Sequence, residues 1–279
     1  MKVGLSLGLL NPRAWKEATV AADRLGYESV WMPEHLILPV GGSGSPFHGS
    51  DHPPIPPNIP VFDPLVYLAM LAGCTESIRF GTHVYNIGLR HPFVTARAAA
   101  TLDIVSQGRF EFGIGASWLA EEWEAVGLDF TTRGRRVDEA ISICRRLWTD
   151  EQVEHHGEFF DFPPVMFEPK PVQSNIPLHV GGDGPAALRR AAIFGDGWIP
   201  MNHSVDQVEA SLSKIRSQRE EAGRDPFVEL TMGLPVQSPE DLKRYAALGV
   251  TRVLVRPWSS TKDALEAIDR FAREILHKL

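Results

Sequence analysis

Long apolar runs are missing from this chain, and so is any excess of basic charge. No stretch is long enough to span a membrane, and Asn11-Pro12 ends the apolar N-terminal run too soon for a signal peptide, so a cytoplasmic setting is expected. Acidic residues outnumber basic ones by 35 to 28, a net charge of -7, which argues against nucleic acid because a phosphate backbone calls for a basic face. Cysteine is scarce. Cys74 and Cys144 are the only two, each beside apolar neighbours on an expected helix, so buried, inert thiols are expected and no disulfide. Metal-ligand spacing is lacking as well: His155 and His156 are adjacent on an expected strand and face opposite sides. His48, Asp51 and His52 are spaced like ligands but sit in a Pro/Gly loop, and no metal is assigned.

What the chain does have is regular punctuation. Asn11-Pro12, Asp63-Pro64, His91-Pro92 and Ser238-Pro239 each pair a cap with a proline that opens a helix, where the missing N–H has no helical partner to lose. The junctions LGYESVWM, FGDGWIPM and LGVTRVLV close a helix on glycine and start a strand. Eight strands are expected: Val3 to Leu9, Ser29 to Met32, Ile78 to Val84, Arg109 to Ile114, Leu178 to Val180, Gly197 to Pro200, Val228 to Leu234 and Arg252 to Val255. Helices alternate with them, including an amphipathic one through Val137, Ala140, Ile141, Cys144 and Leu147. That alternation demands right-handed βαβ units and a parallel sheet. Together with 279 residues it fits a single (β/α)8 TIM barrel over 1–279, an α/β fold, better than a doubly wound sheet. Two additions stand out: an extended Pro/Gly-rich loop after strand two, residues 36–62, of a length usual for lids, and a hairpin insertion around Gly157 before strand five.

Barrel chemistry sits at the C-terminal ends of the strands. Those ends carry Glu34 and His35, Thr82 to Asn86, Gly115 to Trp118, Gly181 to Gly184, and Met201 to His203. His35 beside Glu34 is either a general acid/base pair or a strand-end histidine bonded to backbone. Trp118 either stacks on a planar ring or caps the barrel. In IPLHVGGDGPAALRR a strand meets Gly181, Gly182 and Gly184 and then a helix with Pro185 at its first position. Free N–H groups and the helix dipole there suit a phosphate, although an ordinary βα turn has the same form. The pattern is neither a P-loop nor GxGxxG.

Taken together, VWMPEHL, IRFGTHV followed by RHP, the long run ATLDIVSQGRFEFGIGASWLAEEWEAVGLDFTTRGRRVDEAISICRRLW, and IPLHVGGDGPAALRRAAIFGDGW resemble the bacterial luciferase-like flavin/F420-dependent oxidoreductases over nearly the whole chain, most closely their F420-dependent branch. The resemblance implies a flavin or deazaflavin at the barrel mouth and a non-prolyl cis peptide at His83-Val84 that supports the middle ring. It places Glu34 and Thr82 near the ring with the His83-Val84 peptide, Gly181 and Gly182 near the cofactor phosphate, and His35 beside the substrate; Trp118 and Gly184 join them as cofactor-binding candidates from the strand ends above. Two departures bear on substrate. The family's sugar-phosphate dehydrogenases have a glutamate where this chain aligns Trp118, and a tryptophan after the acid-His pair that is missing here, so glucose-6-phosphate oxidation is not supported.

The expected function is therefore F420-dependent hydride transfer at deazaflavin C5 to or from a small organic substrate. His35 would exchange the proton, and Glu34 would set its tautomer or touch the ring. The alternatives are an FMN-dependent monooxygenase of the same fold and a non-catalytic F420-binding protein. Family members are often dimers, so a homodimer is expected.

Overall fold

The computed structural model describes residues 1–40 and 57–279. His48, Asp51 and His52, with the central part of the extended loop, lie outside the described residues. The strands are β1 (Lys2–Ser6), β2 (Ser29–Met32), β3 (Arg79–Thr82), β4 (Tyr85–Asn86), β5 (Phe110–Gly115), β6 (Gln152–His156), β7 (Asp161–Met166), β8 (Leu178–Gly181), β9 (Gly197–Ile199), β10 (Glu229–Gly233) and β11 (Arg252–Val255). Around them run α1 (Trp15–Arg24), α2 (Pro64–Ala72), α3 (Pro92–Val105), α4 (Ala120–Ala125), α5 (Arg133–Thr149), α6 (Pro185–Ile193), α7 (Val208–Glu221), α8 (Pro239–Ala247) and α9 (Ala264–Glu274). Among the described residues no helix is long and apolar enough to cross a membrane.

Eight strands close in the order β1, β2, β3, β5, β8, β9, β10, β11 and back to β1, every pair parallel, which is the (β/α)8 barrel. The caps that opened helices on paper do so physically. Asn11, Asp63 and His91 each accept backbone N–H groups with their side chains, and Ser238 and Asp241 form a reciprocal box. The hairpin β6–β7 is antiparallel and stands between α5 and β8. Its two histidines diverge, His155 to Glu139 of α5 at 2.9 Å and His156 to Asp161.

Three expectations need correction. The third strand does not run unbroken to Val84: β3 stops at Thr82, and the chain resumes as β4, pairing Tyr85 with Ile114 of β5. A helix, α4, occupies part of the segment after strand four that carried no helix assignment. Cys144 is buried, and desolvation pushes its thiol up to about 12, but Cys74 is exposed. It lies two residues beyond the end of α2, past the Gly73 cap, whereas Leu71 and Ala72 of the last turn are buried.

The barrel interior is layered. In the middle lie Trp31, Ile199 and Leu254 with Val84 against them. Trp31 fits because Gly81 faces it: a Cβ there would come within 2.2 Å of the indole. Below is a charged floor that the sequence did not advertise. Arg252, fully buried, reaches Glu28 (2.8 and 2.9 Å), Glu111 (3.0 Å), Glu229 (3.2 Å) and Thr231 (3.2 Å). Arg79 (2.6 Å) and His179 (2.6 Å) complete Glu111, and Lys2 pairs with Glu229. Glu111, His179 and Glu229 bring ligand-type atoms within 4.8 Å of one another. The Arg252 guanidinium already touches both of those carboxylates, so an ion here would meet a fixed positive charge.

Candidate active site

Beyond β2 the chain leaves the barrel through Pro33, and the two residues that follow go different ways. Glu34 turns into the wall and is only 5% exposed. It accepts the Asn86 N–H at 2.6 Å and meets Arg90 at 2.6 Å, while Arg90 itself lies 4.4 Å over the Tyr85 ring. Burial raises the Glu34 carboxyl above the usual range by more than Arg90 and the Asn86 N–H lower it. Glu34 thus anchors the segment that follows the third strand.

His35 turns toward the strand-five loop. Its Nδ1 lies 3.3 Å from Oε1 of Glu122 on α4, a contact rather than a hydrogen bond, and has no other partner among the described residues. The carboxylate beside His35 is therefore that of Glu122, not Glu34. Glu122 is fully buried and accepts the Leu36 N–H at 2.7 Å and the Ser117 hydroxyl at 3.3 Å, so its position is fixed from both loops. Trp118 sets its ring edge-on to His35, centroids 5.7 Å apart at 89°.

The peptide between His83 and Val84 is cis, at the place the resemblance named. Val84 enters a slot that two glycines leave open: a Cβ on Gly115 would stand 2.7 Å from its side chain, and one on Gly181 3.0 Å. Thr82 is fully buried and donates its hydroxyl to the Gly113 carbonyl at 2.6 Å. His83 is half-buried at the mouth, its imidazole pushed down to about 4 by desolvation first and by the Arg256 charge second.

After β8, Gly182 takes a positive φ of 116° that favours glycine, donates its N–H to the Ile199 carbonyl and accepts from the Trp198 indole. Gly184 caps α6 ahead of Pro185, with open space beside it. Asp183 between them is an acid where a phosphate is expected, which would be a misfit. Its carboxylate, however, is turned away, accepting the Met201 and Asn202 N–H groups at 2.9 Å each and meeting His203 Nδ1 at 2.9 Å. The α6 N-terminus is thus left to an acidic ligand, and this feature fits the tail of a flavin-type group.

Of the residues singled out in the sequence, His35 and Trp118 come together at one rim, and Val84 meets Gly181. Glu34 and Thr82 lie in the wall, their polar atoms committed to neighbouring chain. Glu122, Arg90 and Arg256 were missed. The one available signal was the RHP motif next to a strand end, which carries Arg90.

This fold and site define a (β/α)8 barrel protein with His35, Trp118 and Glu122 gathered at one rim of its mouth. The family profile of luciferase-like monooxygenases matches residues 3–274, and the chain belongs to that family. The uncharacterized protein Rv0940c of Mycobacterium tuberculosis is 32% identical over 270 residues, 93% of each chain. Two solved structures share the fold. An F420-dependent secondary alcohol dehydrogenase in complex with an F420-acetone adduct has a TM-score of 0.80 at 18% identity, over 99% of this chain and 98% of that one. The monooxygenase RslO1 from Streptomyces bottropensis has a TM-score of 0.77 at 24% identity, over 100% and 99%.

Proposed function

We propose that this chain binds the deazaflavin F420 at the barrel mouth and works as an F420-dependent oxidoreductase on a small organic substrate. When bound, the cofactor supplies a carbon centre, C5, that gives or takes a hydride. Everything else falls to the chain. Val84 would carry the ring on one face, with Glu34, Thr82, His83 and Trp118 around it, and the Gly181, Gly182 and Gly184 loop, whose Gly182 N–H is held by the Ile199 carbonyl, would bring the acidic tail to the α6 N-terminus beside Gly184. His35 would exchange the substrate proton. With Nδ1 held toward Glu122, the exchanging atom is Nε2, and Trp118 limits both ring rotation and water.

The observation that carries this reading is the imidazole of His35 between a buried carboxylate and a tryptophan edge at the barrel mouth. Titrating the full chain with F420 and, separately, with FMN tests it: saturable F420 binding and weaker FMN binding are expected. Tight FMN binding with oxygen uptake during turnover would instead support the FMN-dependent monooxygenase. F420 binding without redox change across a panel of alcohols and ketones would support a non-catalytic binder.

A homodimer is part of the proposal. Val66 and Met70 of α2 and Val94 of α3 are exposed apolar residues on helices that pack side by side, and a second copy would cover them. Sedimentation equilibrium is expected to give a two-chain particle, and a single-chain mass would remove this part of the reading. The exposed, unpaired thiol of Cys74 fits the reducing setting expected of a cytoplasmic protein.

A further inference from the structure

We propose that Arg256 is the anion-recognising residue of the substrate pocket, and hence that the substrate carries a negatively charged oxygen group, a carboxylate or a phosphate. This deepens the functional reading above and rests on it for the word substrate.

The position follows from strand parity. Side chains on a strand alternate between the two faces. On β11, Arg252 lies over the Trp31 ring at 5.1 Å and Leu254 belongs to the inner cluster with Trp31 and Ile199. Arg256 is the next member of that inward row, one residue past the strand, and so stands at the rim. Its charge is felt at His83, across the mouth, where it adds to desolvation in disfavouring the imidazolium.

What singles it out among the arginines of the barrel's inner face and wall is that no described carboxylate balances it. Arg252 on the floor has three carboxylates, and Arg90 in the wall has Glu34. Arg256 is exposed, and among the described residues no carboxylate or ring pairs with it. The acids nearest the mouth are already engaged: Glu34 by Arg90 and Asn86, Glu122 by Leu36 and Ser117, Asp183 by its own loop and His203. An unpaired guanidinium at the edge of a low-dielectric cleft attracts an oxyanion, and its planar fork suits a carboxylate or phosphate. β2, which leads to His35, and β11 both flank β1, so their axes are about 10 Å apart at the usual strand spacing. A small substrate can therefore have its reacting carbon at His35 and its anionic end at Arg256.

The test is calorimetric titration of the F420-loaded chain with benzoate, with inorganic phosphate, and with benzamide as the neutral twin of benzoate. Wild type is expected to prefer benzoate to benzamide by about 10- to 100-fold, the range of a charge-assisted hydrogen bond. Arg256→Gln should erase the preference, Arg256→Lys should keep part of it, and the F420 dissociation constant should move by less than about twofold in either variant. An undiminished benzoate preference in Arg256→Gln overturns the proposal. So does a loss of F420 affinity larger than the loss for benzoate, because the arginine then belongs to the cofactor. Repeating the benzoate and phosphate arms without cofactor separates the two readings. If wild type fails to bind F420 yet still prefers the anions through Arg256, the functional reading falls and the anion site stands.

Discussion

Replacing His35 with alanine is expected to lower turnover by roughly 10²- to 10⁴-fold, the usual contribution of a placed general acid or base, while F420 affinity stays near wild type. The size follows from what the side chain would do. A hydride leaves or reaches carbon without its proton, so the oxygen on that carbon must gain or lose one at the same site. Bulk water is a poor substitute for a side chain already placed at that oxygen. Glu122→Gln separates positioning from chemistry, because the amide keeps an oxygen for the Leu36 N–H but removes the charge that favours a proton on Nδ1. Its loss should be smaller, about tenfold, and should fall on turnover while F420 affinity stays near wild type. Stopped-flow turnover and a parallel F420 titration read both variants. Unchanged turnover in His35→Ala with the cofactor bound removes His35 from the chemistry.

The two variants also show where the sequence was readable. His35 stood out because it ends a strand, and strand ends in a barrel point to the mouth. Glu122 did not, since in AEEWEA one acid among three looks like the solvated face of a helix, and only the return of the strand-two loop buries it against Leu36. The barrel itself was legible because eight apolar runs alternate with capped helices, a local signal repeated along the chain. The break after Thr82 was not, because IRFGTHV reads as one strand and its glycine, Gly81, lies inside β3 making room for Trp31 rather than marking a turn after it. The charged floor was hidden for a similar reason. Glu111, His179, Glu229 and Arg252 are lone polar residues near the starts of four separate strands, and their meeting depends on strand stagger around the barrel.

That floor carries the second large expectation: Arg252→Met should destabilise the chain by about 3–5 kcal/mol at neutral pH. Methionine keeps an apolar stem over Trp31 but withdraws the guanidinium from Glu28, Glu111 and Glu229 together. Lys2 and Arg79 remain, yet each reaches only one of the three carboxylates, and Glu28 is left without either. The cost therefore comes less from the lost attraction than from carboxylates stranded in the barrel. Burial alone would raise the Glu111 carboxyl, but the His179 hydrogen bond and the Arg252 and Arg79 charges outweigh it and hold it far below the usual range. A depressed carboxyl contributes stability that is complete above its unfolded value, about 4.3 for glutamate, and that is lost as pH falls toward the folded value. The gap between wild type and Arg252→Met should accordingly be widest near neutrality and narrow below about pH 4. Urea unfolding at a series of pH values measures it. A gap that stays under about 1 kcal/mol at neutral pH would mean the floor relaxes or admits water once the arginine is gone, and Arg252 would no longer be what holds the three acids together.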